Sequence, residues 1–244
     1  MIRSIAVVPQ PPLLVFELVG AAAAEVEPLR TACEQAVGRL RTPRWHAVGV
    51  DEDGPAVFRP GARGNVRGYG ADVPVSLTAT TTTAEHTEHT EHTALPLPLL
   101  VAGWLRGRAG AHAVVGELVH PSNTPSDCLA RGKELADELN GDPAADWAVL
   151  VLADGARTHA VPGAGRVDER AAGFDGAVAT ALADADALAA LDPMVAAALG
   201  AQGRAAWQVL AGVAIGSGTD WAGELLYSAA PYGVGYHVAL WQAR

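Results

Sequence analysis

Histidine and carboxylate are the side chains in this sequence best suited to chemistry, and one segment strings them together. Glu85-His86-Thr87 is followed by Glu88-His89-Thr90 and Glu91-His92-Thr93. Imidazole and carboxylate ligate iron, zinc and nickel, so the segment is a candidate metal binder. A short repeat beside the run Thr80 to Thr83 is also low-complexity sequence, which reads as a loop without fixed ligand geometry. Three further positions stand where a turn follows or precedes a strand-like run. Gln10 lies in Val8-Pro9-Gln10-Pro11-Pro12, where prolines stiffen a turn and hold one polar side chain at its tip. His159 closes Asp154-Gly155-Ala156-Arg157-Thr158-His159, directly after the most apolar strand-like run. An unperturbed imidazole titrates near neutrality, which suits His159 to acid–base work; the plain alternative is an exposed loop histidine. Glu224 precedes Leu225-Leu226-Tyr227, as a carboxylate ligand or simply a surface acid at a strand start.

The elements that must position these residues follow from hydrophobic periodicity. Ile5 to Val8, Trp45 to Val50, Val73 to Leu77, Ala113 to Val119 and Trp147 to Ala153 have strand length and composition. Leu225 to Trp241 reads as two strands joined around Pro231-Tyr232-Gly233. Between them lie helical stretches. Leu18 to Leu40 carries Leu29, Cys33, Val37 and Leu40 at helical spacing, with Pro28 as a kink or restart. Leu95 to Arg106 is a buried helix introduced by prolines. Thr124-Pro125-Ser126-Asp127 is a helix start that runs to about Leu139 and stops at Asn140-Gly141. Asp168 to Leu191, a segment opened by Asp192-Pro193, and Arg204 to Ala214 complete the set. Residues 54–70 and 78–94 are predicted to be long flexible loops.

Strands alternating with helices predict an α/β fold: one domain over 1–244, a mostly parallel central sheet and helices on both faces. In such sheets sites gather beyond the carboxyl ends of the strands, which directs attention to Gln10, Asp51 and Asp154. Asp51-Glu52-Asp53-Gly54 itself reads as a solvated turn, and His46, His112, His120 and His237 stand at strand edges without a motif.

Composition removes several function classes. Half of the 244 residues are hydrophobic, 18% are charged and the net charge is −10. Lys133 is the sole lysine and no basic run exists, so neither nucleic acid nor an anionic membrane surface is an expected partner. Few aromatics and abundant alanine call for close helix packing through small residues. Cys33 and Cys128 lie far apart in helical segments and read as buried apolar residues, without a disulfide framework. Pro9, Pro11, Pro12 and Glu17 interrupt the first apolar run, which argues against a signal peptide and for the cytoplasm. Gly212 to Gly218 follows a helix rather than a first strand, so it is no dinucleotide fingerprint, and no Gly-x-Ser-x-Gly elbow occurs. Strand edges near the C-terminus make a homodimer an expected assembly.

Several of these motifs, in order, resemble the class III extradiol dioxygenases of the subunit-B type, the LigB-like and Memo-like superfamily. The Pro-Gln-Pro-Pro turn is similar to the family's His-Pro-Pro turn, with Gln10 where the family has an iron-binding histidine. Gly155…Thr158-His159 resembles its Gly-Gly-Leu-Ser-His turn. Glu91-His92-Thr93 before Leu97-Pro98 is similar to an acid–His–Ser…Leu-Pro element, one residue shorter and without an intervening Glu. Pro231 to Tyr236 resembles the C-terminal end of actinobacterial members. The resemblance implies a non-haem Fe(II) site, or another divalent metal, with His92, Glu224 and Gln10 as the available ligands and His159 as acid–base. It also implies an aromatic, catecholic ligand. Imidazole is a far better Fe(II) donor than an amide, so Gln10 turns the expectation toward a LigB-like protein with a degenerate metal site and a cleft for a small molecule or partner. Ring cleavage by an active Fe(II) dioxygenase, or zinc-dependent hydrolysis in the same cleft, are the alternatives.

Overall fold

The computed structural model describes residues 1–20, 23–79, 94–142, 145–161 and 166–244. The chain forms one α/β domain about a seven-stranded mixed sheet. Its strands are β1 (Ile2–Val8), β2 (Arg44–Val50), β3 (Ala56–Phe58), β6 (Ala113–Val119), β7 (Trp147–Leu152), β8 (Trp221–Ala229) and β9 (Tyr236–Ala243). They lie in the order β3-β6-β2-β7-β1-β9-β8, while β4 (Arg63–Asn65) and β5 (Pro74–Ser76) make a separate two-stranded ribbon. The central four, β6, β2, β7 and β1, are mutually parallel. The flanking β3, β9 and β8 are antiparallel to their neighbours.

The parallel strands are buried on both faces, as their near-continuous apolar runs require. Alternation along β1 shows how. Ala6 and Val8 pack against α2 (Ala23–Gly38) and α3 (Leu97–Ala109). Ile5 and Val7 face the opposite layer, built from α4 (Pro125–Asn140), α5 (Arg170–Ala181), α6 (Ala185–Ala189), α7 (Pro193–Leu199) and α8 (Arg204–Gly216). Small residues let that layer close up. A Cβ on Gly132 of α4 would strike the Val209 carbonyl of α8, and the Gly212 side of the contact is equally tight. Cys33 and Cys128 are buried free thiols.

Local chemistry explains most element ends. Thr124 accepts from the Asp127 amide to start α4, and Asp192 accepts from Met194 and Val195 to start α7. Asp184 caps α6, which splits the helical region expected over Asp168 to Leu191. Two other expectations are corrected. The helix expected from Leu18 breaks at Gly20, whose φ of 47° is left-handed, giving α1 (Phe16–Val19) and then α2. Pro28 sits inside α2 without ending it. Residues 54–70 are not one long loop: they contain β3, which extends the main sheet, β4 of the ribbon, and a 3-10 turn over Val66–Tyr69. Of the second expected loop, 80–93 lie outside the described residues.

β1 and β2 feed helices on one face, α2 and α3, whereas β6 and β7 feed α4 and α5 on the other. Adjacent strand ends therefore send their chains in opposite directions, and crevices open between them. No helix among the described residues is long and apolar enough to cross a membrane.

Candidate functional site

The carboxyl ends of the parallel strands carry two groups of polar side chains. The first joins β1 to β7. The Gln10 amide donates to Asp154 Oδ1 at 2.9 Å, and Gln10 Nε2 donates to the Val50 carbonyl at the end of β2 at 3.3 Å. Gln10 Oε1 is buried without a partner. Burial pushes the Asp154 carboxyl up to about 6; the Gln10 hydrogen bond and the Arg157 charge oppose this and do not overcome it. Burial, with the Asp154 charge beside it, also raises the Tyr236 phenol. The turn is covered from above, because Gly203 donates to the Asp154 carbonyl and Arg157 donates to the Leu199 carbonyl.

His159 is turned away from that group. Its Nε2 lies 2.5 Å from Asp175 Oδ2 on α5. Asp175 Oδ1 accepts from the Ala156 amide at 3.1 Å and stands 3.3 Å from Nε2 of the buried His237. His237 Nδ1 in turn meets Ser228 Oγ at 3.0 Å. Burial raises the Asp175 carboxyl, but the imidazoles of His237 and His159 outweigh it, so the group stays below its ordinary value. The carboxylate is clamped between two backbones: a Cβ on either Gly155 or Gly235 would collide with it. Gly155 donates to the Gly235 carbonyl, and Gly235 donates to the Ala156 carbonyl, so the clamp ties the β7 turn to the start of β9. Gly155 is therefore needed for close approach, which the motif alone did not say.

Glu224 belongs to neither group. It projects from the edge strand β8, exposed, and pairs with Arg39 at 2.8 Å. Its register partner is Leu240, which pairs with Ala6, two residues before the carboxyl end of β1. His92 lies outside the described residues. The donor set expected for Fe(II) is thus not assembled among the described residues. Of the described residues expected as ligands or acid–base, Gln10 offers only a buried amide oxygen, Glu224 is paired with Arg39, and His159 is engaged with Asp175. Among the described residues no three His, Cys, Asp or Glu side chains are grouped so as to hold a metal ion. These residues do not fit a 2-His-1-carboxylate centre.

The second group lies across the sheet at the ends of β2 and β6. A cleft of about 430 Å³ opens there, between these strand ends and the α7–α8 connection. Glu52, His120, Ser122 and Gln202 line it, with Pro121, Met194 and Ala197 as apolar wall. His120 Nε2 faces Glu52 Oε2 at 3.3 Å, and Nδ1 meets Ser122 Oγ at 2.6 Å. Gln202 donates to Glu52 at 3.0 Å. Sequence reasoning passed over His120 and Ser122 for lack of a motif. The usable signal was position: His120 directly follows a strand expected to end at Val119.

A third polar cluster sits in the sheet itself. Glu117 of β6 bonds His46 of β2 at 2.9 Å and Arg131 of α4 at 2.6 Å, all within the layer interface. Burial alone would raise Glu117, but the His46 and Arg131 bonds reverse it and hold the carboxyl at about 2. This satisfied network anchors α4.

No protein-family model matches the chain, and no curated protein matches it. Among solved structures it is similar to the uncharacterized protein JW3007 from Escherichia coli K12. The identity is 12%, the TM-score 0.48, and the match covers 99% of this chain and 100% of that one.

Proposed function

We propose that this chain is a LigB-like protein with a degenerate metal site that binds a small molecule in the cleft at the ends of β2 and β6. The observation that carries the reading is the contrast in openness at the strand tips. Where the resemblance calls for an iron-binding histidine, Gln10 is bonded inward to Val50 and Asp154. At β2 and β6, polar side chains instead line open space of a size suited to a small ligand. An apolar wall and a few convergent polar groups are the usual makings of such a site.

Anaerobic loading with Fe(II), metal analysis and a catechol panel test the first half. No stoichiometric iron and no ring-opened product are expected; one iron per chain with turnover would overturn it. A thermal-shift screen of small molecules on the wild type and on Ala197→Trp, which fills the cleft, tests the second half. Hits should stabilise the wild type and lose their effect in the variant. Hits that survive the substitution would place the ligand elsewhere.

One observation favours the active dioxygenase as a second reading. The contact between Asp175 and His159 is the arrangement that would orient an acid–base imidazole. Under that reading His159→Gln should abolish ring cleavage in the iron-loaded protein while leaving iron content unchanged.

A further inference from the structure

We propose that the β2–β6 cleft is a serine-based acyl-transfer site for small carboxylic esters, with Ser122 as nucleophile and His120 as its base. This rests on the reading of the cleft as a ligand site and adds a reaction to it. The Ser122 amide donates to His120 Nδ1 at 3.1 Å, so Nδ1 carries the lone pair and the ring proton sits on Nε2, facing Glu52. The 2.6 Å contact from Ser122 Oγ to the same Nδ1 therefore directs the hydroxyl proton at an unprotonated base. Nucleophile and base are within hydrogen-bond reach, and a carboxylate orients the base from its far side.

The loop that carries Ser122 is held from beneath. Arg204 is 3% exposed and donates to the carbonyls on either side of Ser122: to Asn123 at 2.6 Å and to Pro121. Gln208 Oε1 fixes the guanidinium at 2.9 Å, and Gln208 Nε2 is anchored on the Ala189 and Leu191 carbonyls. Among the described residues the guanidinium of Arg204 bonds only to neutral groups: the Asn123 and Pro121 carbonyls, Gln208 and Cys128. A buried positive charge whose partners are carbonyl oxygens, an amide oxygen and the Cys128 sulfur favours negative charge developing above it, as an ester carbonyl would supply on attack.

In the first step Ser122 Oγ bonds to the ester carbonyl carbon and its proton passes to His120 Nδ1. The bond from that carbon to the alcohol oxygen then breaks, and the alcohol leaves with the proton. Water, deprotonated by the same nitrogen, attacks the acyl carbon, and Ser122 regains its proton as the carboxylic acid departs. Pro121, Met194 and Ala197 offer the acyl chain an apolar wall. Glu52 is a positioning residue: it touches His120 and not the ester.

A fluorophosphonate probe and p-nitrophenyl butyrate, applied to the full chain, test this. The probe should label one site, mapped by peptide mass to Ser122. Ser122→Ala should lose the label and reduce turnover by about 100-fold or to background with an unchanged melting temperature. Glu52→Gln should lower kcat about tenfold and leave KM within about twofold, a split that a merely structural role would not produce. Labelling elsewhere, or turnover that survives Ser122→Ala, would overturn the proposal. So would a wild type that neither labels nor turns over. If ligands still stabilise that wild type and fail on Ala197→Trp, the chemistry alone falls; if they do not, the cleft reading falls with it.

Discussion

The tips of β1 and β7 and the tips of β2 and β6 obey the same topological rule and end differently. At β1 and β7 the polar groups are spent on each other: Gln10 on Asp154 and Val50, with the 199–203 connection laid over the turn. At β2 and β6 they also pair with each other, but at the edge of a cavity whose far wall the same connection forms. A switch point therefore supplies a crevice, but the chain that returns from the other layer decides which part of it stays open. Here that chain is the α7–α8 segment. Its Gly203 presses on one turn, while Gly200, Gln202 and Met194 line the open space beside the other.

The closed side should be the more fragile. Gly235→Ala drives a Cβ into the Asp175 carboxylate, which the Ala156 amide and His159 hold in place. We expect a loss of about 4 kcal/mol in denaturant unfolding, the largest effect of any substitution considered, because a buried network must break to admit the methyl. A loss under about 1 kcal/mol would show that the clamp yields easily. Ala197→Trp on the open side should change stability by less than about 1 kcal/mol.

Acid titration separates the sheet interior from the closed tip by sign. Glu117 is held at about 2, below its unfolded value, so its contribution is present above pH 4.5 and is lost as pH falls toward 2. It amounts to about 3 kcal/mol, and Glu117→Gln should remove that limb of the stability–pH curve. Asp154 runs the other way. Its pKa is raised to about 6, so the folded state binds the extra proton, and stability falls as pH rises from 3.8 to 6. Asp154→Asn keeps an acceptor for the Gln10 amide and abolishes the cost of the charge. It should stabilise the protein by about 3 kcal/mol at pH 8 and leave it unchanged at pH 3. Destabilisation at pH 8 would mean that the ionised carboxylate has a partner that offsets its burial.

The layering was legible in the sequence because period and punctuation agree there. Ala113 to Val119 was placed residue for residue, and Thr124-Pro125 announced α4 through its capping chemistry. The short strands β3 and β4 were not legible. Strands of three residues leave no periodicity, and β3 is set by its antiparallel partner β6. The site was legible in part. Strand ends pointed to Gln10 and Asp154, which do meet. They pointed equally to His120, but a search for motifs passed over a residue whose only signal was its place. Asp175 and Arg204 had no signal at all, since a mid-helix acid and a helix-start arginine acquire their roles from partners 16 and 81 residues away.

Glu224 gives the smallest effect and still a sharp test. The resemblance makes it a metal ligand, whereas the fold sets it on an edge strand with Arg39, both side chains exposed. An exposed ion pair contributes little, because water screens it and ordering two long side chains costs entropy. Glu224→Ala should therefore alter stability by about 0.5 kcal/mol or less, and less still at high salt. It should leave ligand stabilisation at the β2–β6 cleft unchanged. Loss of bound iron on this substitution would require Glu224 to leave Arg39 and reach the tip of β1, past the intervening β9, from a register position level with Ala6. That result would break the division between a closed and an open end of the sheet.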